Sequence, residues 1–171
     1  MEFENFNEDF TLGLKLHVLH LDQCDPRKCT SKKLKKFNLV KFHKTFRTIP
    51  IKSIKLNPFA EKELSIEDKE LVTRHGITVI DCSWKKAREI FETKKLVNDR
   101  KIPITFLAGN SINYTMPGKL SSVEAFAACL IITGYPNEAR FLLSKFKWGH
   151  TFWELNQEKI ETIINSGFNE E

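Results

Sequence analysis

Four apolar runs of strand length, at residues 14–21, 51–56, 77–81 and 102–108, are separated by segments whose apolar residues recur at helical spacing. Strands alternating with helices imply a mainly parallel α/β sheet. The run 14–21 alternates apolar and polar residues and ends in the loop Asp22-Gln23-Cys24-Asp25-Pro26. The run 51–56 stops at Asn57-Pro58, and 77–81 is too apolar for an exposed face. Ser31 can cap a short helix over 32–37, Ser65-Ile66-Glu67-Asp68 starts a helix that Gly76 stops, and Ser83 opens the next. Beyond Ala108 the pattern turns helical. Ser121-Ser122-Val123-Glu124 matches a capping box before 125–133, Gly134 is the stop, Pro136 opens another helix, and Thr151-Phe152-Trp153-Glu154 signals the last. The expected division is an α/β domain over 1–109 and a mainly helical domain over 110–171.

Charge is as uneven as hydropathy. Between Asp25 and Glu61 the chain has no acidic residue, yet those 35 positions carry eleven Lys and Arg. Subtracting them from the total of +5 leaves −6 for the rest. A concentrated basic block is how a polyphosphate partner is recognised, although a solvated lysine-rich surface has the same composition.

Nothing approaches eighteen consecutive apolar residues, and Met1-Glu2-Phe3-Glu4 is acidic, which predicts a cytoplasmic protein with no signal, anchor or membrane partner. Four cysteines are too few for a disulfide scaffold at this length. Structural zinc takes four convergent ligands, and Cys24-x4-Cys29 falls outside the tight hairpin spacing, so no metal is expected. A P-loop, G-x-G-x-x-G, G-x-S-x-G and H-E-x-x-H are all absent, which disfavours NTPases, nicotinamide enzymes, serine hydrolases and zinc proteases.

Ligands of such sheets bind beyond the carboxyl ends of the strands, so the informative residues follow each apolar run. In order these are Asp25-Pro26-Arg27-Lys28-Cys29-Thr30, Leu56-Asn57-Pro58, Asp81-Cys82-Ser83-Trp84 and Ala108-Gly109-Asn110-Ser111-Ile112-Asn113-Tyr114. Together with Asp22, Lys119-Leu120-Ser121-Ser122-Val123-Glu124-Ala125 and Ser144-Lys145-Phe146-Lys147-Trp148-Gly149-His150-Thr151-Phe152, these blocks resemble the small-subunit rRNA aminocarboxypropyltransferases of archaea and eukaryotes, over residues 14–160. Thr115 stands where that family often has Gly, which bears on the local loop alone.

The resemblance implies a SPOUT-like domain with a trefoil knot that binds S-adenosylmethionine, followed by a helical part that completes the cofactor pocket. It implies transfer of the 3-amino-3-carboxypropyl group to a uridine, pseudouridine or methylated pseudouridine of small-subunit rRNA, in free RNA or a preribosomal particle. Methylthioadenosine is released. The cofactor-binding residues it implies are Thr30, Leu56, Pro58, Ile80, Trp84, Leu107, Asn110, Tyr114, Leu120 and Ser121.

Elementary chemistry is compatible with these roles. Leu56, Pro58, Leu107 and Leu120 can supply an apolar adenine slot. Thr30 and Ser31, at a helix start, suit a carboxylate or plain capping. Trp84 can press its ring on a sulfonium and shield the methyl, or fill a core. The acceptor nitrogen must lose a proton, and Asp81, at the end of an apolar strand, is the candidate base; an aspartate there can also cap a helix or orient a loop. RNA contacts are expected from Arg27, Lys28, Lys32, Lys33, Lys35 and Lys36. The block 145–150 can stack an unpaired base or pack in a core. Two other functions fit the same features: a SPOUT-like rRNA methyltransferase, and a noncatalytic assembly factor that binds pre-rRNA. The chain is expected to work as a monomer.

Overall fold

The computed structural model describes residues 6–22, 29–110, 113–115 and 118–167, with Trp84 described by its backbone. The chain divides into two compact units, one of residues 14–103 and one joining residues up to Gly13 to those from Ile104 onward.

In the first unit the strands β1 (Leu16–His20), β2 (Lys41–His43), β3 (Ile54–Leu56), β4 (Ile77–Asp81) and β5 (Asp99–Arg100) form a single sheet in the order β2-β1-β4-β3-β5. Every pairing is parallel, as expected from the alternation of elements. Helices α1 (Thr30–Lys36), α2 (Lys69–His75) and α3 (Trp84–Thr93) carry the chain from β1 to β2, β3 to β4 and β4 to β5. All five residues of β1 are buried despite its alternating polarity, which is the situation of a strand covered on both faces. Gly76, at φ +80°, ends α2; a Cβ there would lie 2.1 Å from the Lys15 carbonyl oxygen. That oxygen accepts the Ile77 N–H at 3.0 Å, so glycine lets the helix pass directly into β4.

Buried polar side chains in this unit are paired in a definite direction. His17 Nδ1 lies 2.9 Å from His43 Nε2, His43 Nδ1 lies 3.0 Å from Thr48 Oγ1, and the Thr48 hydroxyl donates to the Thr45 carbonyl. One proton per link satisfies that chain when both rings are neutral. Burial, reinforced by the neighbouring His43 and Lys41, pushes His17 down to about 4, and burial lowers His43 as well. Arg100 Nε reaches Asp68 Oδ1 at 3.2 Å with both side chains buried, tying β5 to the turn before α2. Asp68 also accepts the Ser65 N–H, completing the capping box read at that position.

Three expectations are corrected. The fourth strand is Asp99–Arg100 rather than 102–108: Lys101 makes one bridge to Glu63, and Pro103 brings no N–H to continue a ladder. Ser31 does not cap α1, which begins at Thr30, two residues before the expected start, with Cys29 at its N-cap and no side-chain cap. Thr151 lies inside a helix rather than before one. The three-residue edge strand β2 had no signal of its own.

In the second unit, α4 (Ser122–Ile132), α5 (Pro136–Ser144), α6 (Gly149–Leu155) and α7 (Gln157–Gly167) follow one another. Ser121 and Glu124 form the expected capping box of α4, and Pro136 opens α5. Helix α4 is apolar on nearly all sides and buried from Val123 to Ile132 apart from Ala125, as a central helix must be. Asn156 interrupts the α6–α7 run: its Nδ2 donates to the Leu107 and Phe152 carbonyls while its Oδ1 accepts the Leu107 N–H. Phe6 and Phe10 pack on Phe141, with ring centroids 5.5 Å and 4.7 Å away. Phe146 and Phe152 are buried and Phe146 packs on Trp148. Among the described residues no helix is long and apolar enough to cross a membrane.

Candidate active site

Neighbouring strands β1 and β4 end side by side, with His20 and Asp81 as register partners. From that point the chain leaves β1 for β2 on one side and β4 for β5 on the other. Such divergence opens a crevice at the carboxyl edge of a parallel sheet.

Asp81 stands at this edge, and three side chains converge on its Oδ2. Ser31 Oγ donates to it at 2.6 Å and Cys29 Sγ at 3.5 Å, while His20 Nε2 lies 3.8 Å away. Cys29 Sγ and His20 Nε2 are 3.6 Å apart. Ser31 is fully buried, so its hydroxyl needs a partner, and a carboxylate makes a stronger one than the backbone at a helix start. This is why it does not cap α1. Nor does Asp81 cap α3, because Ser83 accepts the Lys86 N–H there.

His20 is oriented from its other side. Its Nδ1 is 3.2 Å from the Asp22 backbone nitrogen and 3.1 Å from Asp22 Oδ1. The first contact needs a bare Nδ1 and the second a protonated one, so the tautomer decides which is a hydrogen bond. The ring stacks on Phe42 at 4.8 Å and 11°, and Lys35 Nζ sits 4.7 Å from the same Phe42 ring. A continuous path therefore runs from the Asp81 carboxylate through two aromatic rings to the basic helix α1.

Helix α1 carries Lys32, Lys33, Lys35 and Lys36, of which the last three are exposed. Arg27 and Lys28, expected beside them, lie outside the described residues. Thr30 is the first residue of α1 and half-buried; Leu56 closes β3 buried, Pro58 is exposed in the following turn, and Ile80 is half-buried in β4. Asn57 holds that turn, accepting the Phe59 N–H at 2.8 Å and donating to Asp99 Oδ2 at 2.9 Å. Trp84 begins α3, and its side chain lies outside what the structure describes. Burial, with the Asp81 charge next door, pushes the Cys82 thiol up to about 11, so it stays protonated near neutrality.

In the second unit the remaining candidates lie on one segment. Glu124, fully buried, accepts from the Gly109 N–H at 2.7 Å, Asn110 Nδ2 at 2.5 Å, the Ser121 N–H at 3.0 Å and Ser121 Oγ at 2.8 Å. One carboxylate thus fastens both ends of the stretch from Gly109 to Ser121. Asn110 Oδ1 also accepts the Asn113 N–H, while Leu107 is clamped by Asn156. Tyr114 is exposed and Leu120 half-buried. Gly109 admits no side chain, since a Cβ would lie 2.5 Å from the Phe152 nitrogen.

The structure thus brings Asp81 together with Ser31, beside Thr30 at the start of α1, and with Cys29 of the first loop block, and adds His20, Glu124 and Asn156, which were not assigned site roles. His20 was legible as the last residue but one of an apolar run. Glu124 was visible only as a capping residue, and Asn156 had no signal.

The family described as "Ribosome biogenesis protein, C-terminal" matches residues 54–171, and "Possible Fer4-like domain in RNase L inhibitor, RLI" matches residues 14–47. A four-iron cluster takes four cysteine thiolates, and residues 14–47 contain two, Cys24 and Cys29. The 16S rRNA aminocarboxypropyltransferase of Methanocaldococcus jannaschii is 47% identical over 152 residues, covering 89% of this chain and 88% of that protein. The one from Methanosarcina mazei is 42% identical over 156 residues, covering 91% and 88%. Among solved structures, the SAM-dependent rRNA:acp-transferase from Vulcanisaeta distributa superposes with a TM-score of 0.83 at 32% identity, covering 90% of this chain and 84% of that one.

Proposed function

Because this chain belongs to the ribosome-biogenesis family of 16S rRNA aminocarboxypropyltransferases, we propose that Asp81 and the residues around it serve aminocarboxypropyl transfer from S-adenosylmethionine to a uridine-type base of small-subunit rRNA. The observation that carries this reading is the Asp81 cluster at the divergence of β1 and β4, where parallel sheets bind their ligands. The donor carbon–sulfur bond breaks and a nitrogen–carbon bond forms. The sulfur's electron pair stays with methylthioadenosine, and the ring-nitrogen proton leaves.

In this reading Asp81 takes that proton. Its Oδ2 is engaged by Ser31 and Cys29, and Oδ1 is the oxygen assigned to that proton. Ser31 fixes the rotamer, which matters because in-line displacement tolerates little misplacement. Thr30, at the start of α1, is suited to the methionine carboxylate, and Leu56, Pro58, Ile80 and Trp84 to the adenine and sulfonium. Leu107, Asn110, Tyr114, Leu120 and Ser121 of the second unit are proposed as cofactor ligands on the strength of the resemblance. Arg27, Lys28, Lys32, Lys33, Lys35 and Lys36 are proposed to hold the RNA backbone. A SPOUT-like trefoil knot belongs to the same reading, is compatible with the all-parallel strand order, and is tested by tracing a crystal structure. The protein is read as a cytoplasmic monomer, tested by light scattering of the purified chain and by fractionation.

The test uses small-subunit RNA or particles and S-adenosylmethionine labelled in either the carboxyl carbon or the methyl. Carboxyl label in the RNA supports the reading. Methyl label alone makes the protein a methyltransferase, and neither label, with no cofactor binding by calorimetry, leaves an RNA-binding assembly factor.

A further inference from the structure

Three side chains of different chemistry form a nearly equilateral triangle at the end of the first unit's sheet. The edges are 3.6 Å from His20 Nε2 to Cys29 Sγ, 3.5 Å from Cys29 Sγ to Asp81 Oδ2, and 3.8 Å from His20 Nε2 to Asp81 Oδ2. Ordinary zinc bond lengths at tetrahedral angles place sulfur and nitrogen about 3.6 Å apart, sulfur and oxygen about 3.5 Å, and nitrogen and oxygen about 3.3 Å. Two edges match, and the third is wide by about half an ångström. Hydrogen bonding does not account for the whole figure, because 3.8 Å between a ring nitrogen and a carboxylate oxygen is too long for one.

We propose that His20, Cys29 and Asp81 form a site for a thiophilic divalent cation of the zinc class, to which the described residues supply three donors. Nitrogen, sulfur and oxygen donors in a tetrahedral set suit zinc before magnesium or calcium.

The residues behind the three donors are those such a site requires. Binding through His20 Nε2 requires the ring proton on Nδ1, donated to Asp22 Oδ1 at 3.1 Å in place of accepting the Asp22 N–H at 3.2 Å, and that tautomer gives the carboxylate–histidine arrangement that orients metal-bound imidazoles. Ser31 donates to the coordinating oxygen of Asp81 at 2.6 Å and fixes the carboxylate from behind. Stacking on Phe42 sets the ring plane of His20. On binding, the Cys29 S–H bond breaks, its proton passes to solvent, and the thiolate pair forms the bond to the ion. The ligands come from the end of β1, the residue before α1 and the end of β4, so sequence spacing, which argued against a metal, had no way to show them.

The consequence for catalysis rests on the Asp81 reading given above. A cation on Asp81 Oδ2 competes with the incoming proton for the charge of the same carboxylate, so occupancy lowers aminocarboxypropyl transfer, and a chelator restores it.

The site is tested without cofactor or RNA by titrating the reduced, full-length protein with cobalt(II) alone and then displacing it with zinc. The expected result is one equivalent of cobalt with a tetrahedral visible spectrum and a thiolate charge-transfer band. Cys29→Ser removes that band, His20→Ala weakens binding by about tenfold or more, and Asp22→Asn weakens it by about tenfold with the spectrum unchanged. Cys82→Ser leaves both intact. Circular dichroism confirms that each variant is folded, and the conservative Asp22→Asn carries the test if His20→Ala is not. The proposal is overturned if folded wild-type protein takes up no stoichiometric cobalt, if the band survives Cys29→Ser, or if it disappears in Cys82→Ser. Failure of the titration leaves the transferase reading standing, and failure of transfer leaves the titration standing.

Discussion

Ser31 and Asp81, fifty residues apart in sequence, meet at 2.6 Å between the first turn of α1 and the last residue of β4. The bond is charge-assisted and its donor fully buried. Ser31→Ala is expected to cost about 1.5–3 kcal/mol in urea unfolding and to lower kcat more than it raises the KM for S-adenosylmethionine. An unchanged kcat would show that the carboxylate needs no such restraint.

Asp81→Asn keeps the shape of the edge and removes the base. The transfer rate is expected to fall by roughly 10²- to 10⁴-fold, with calorimetric affinity for S-adenosylmethionine changed by no more than about threefold. A rate within a factor of about ten of wild type would move Asp81 to a positioning role.

The His17–His43–Thr48 chain leaves no acceptor for an extra proton. The folded value of His17, about 4, lies below its ordinary 6.5, so the unfolded chain binds the proton more readily between those values. Stability from this group is therefore complete above pH 6.5 and is lost as the pH falls toward 4. Urea melts should show a loss of about 2 kcal/mol between pH 7 and 5, reduced in His17→Gln. Equal stability at the two pH values would contradict the buried neutral pair.

Glu124 satisfies four donors at once, so Glu124→Ala strands them in the interior. A loss of about 3 kcal/mol or more is expected, with weaker S-adenosylmethionine binding because the stretch from Gly109 to Ser121 loses its fastening. If affinity survives in a folded Glu124→Gln protein, that stretch does not bind the cofactor.

The lysines of α1 make a prediction about salt. Replacing Lys33 and Lys36 together by Ala should flatten the log–log salt dependence of RNA affinity by about 0.7–0.9 for every phosphate the protein no longer neutralises. A parallel line displaced to weaker binding would put the phosphate-binding cations elsewhere.

The parallel sheet was legible because β4 is a short apolar run beside clear helix signals, Ser83 where it turns to α3 and Gly76 behind it. The edge strand β2 was not, since three residues of which only His43 is buried leave no pattern to read. The run 102–108 misled because apolarity there serves a different purpose: Phe106 and Ala108 are fully buried without joining the sheet. The Asp81 edge was legible from the family motifs and strand ends. His20 and Glu124 were hidden because their partners are set by register and by burial, neither of which neighbouring letters record.

Phe6 and Phe10 rest on Phe141, so the first and last parts of the chain share one unit while residues 14–103 lie between them in sequence. During synthesis those two phenylalanines leave the ribosome about 130 residues ahead of their partner, a wait on the order of ten seconds at ordinary elongation rates. The sheet unit, contiguous in sequence, can complete itself in that interval. The helical unit is bound to finish last.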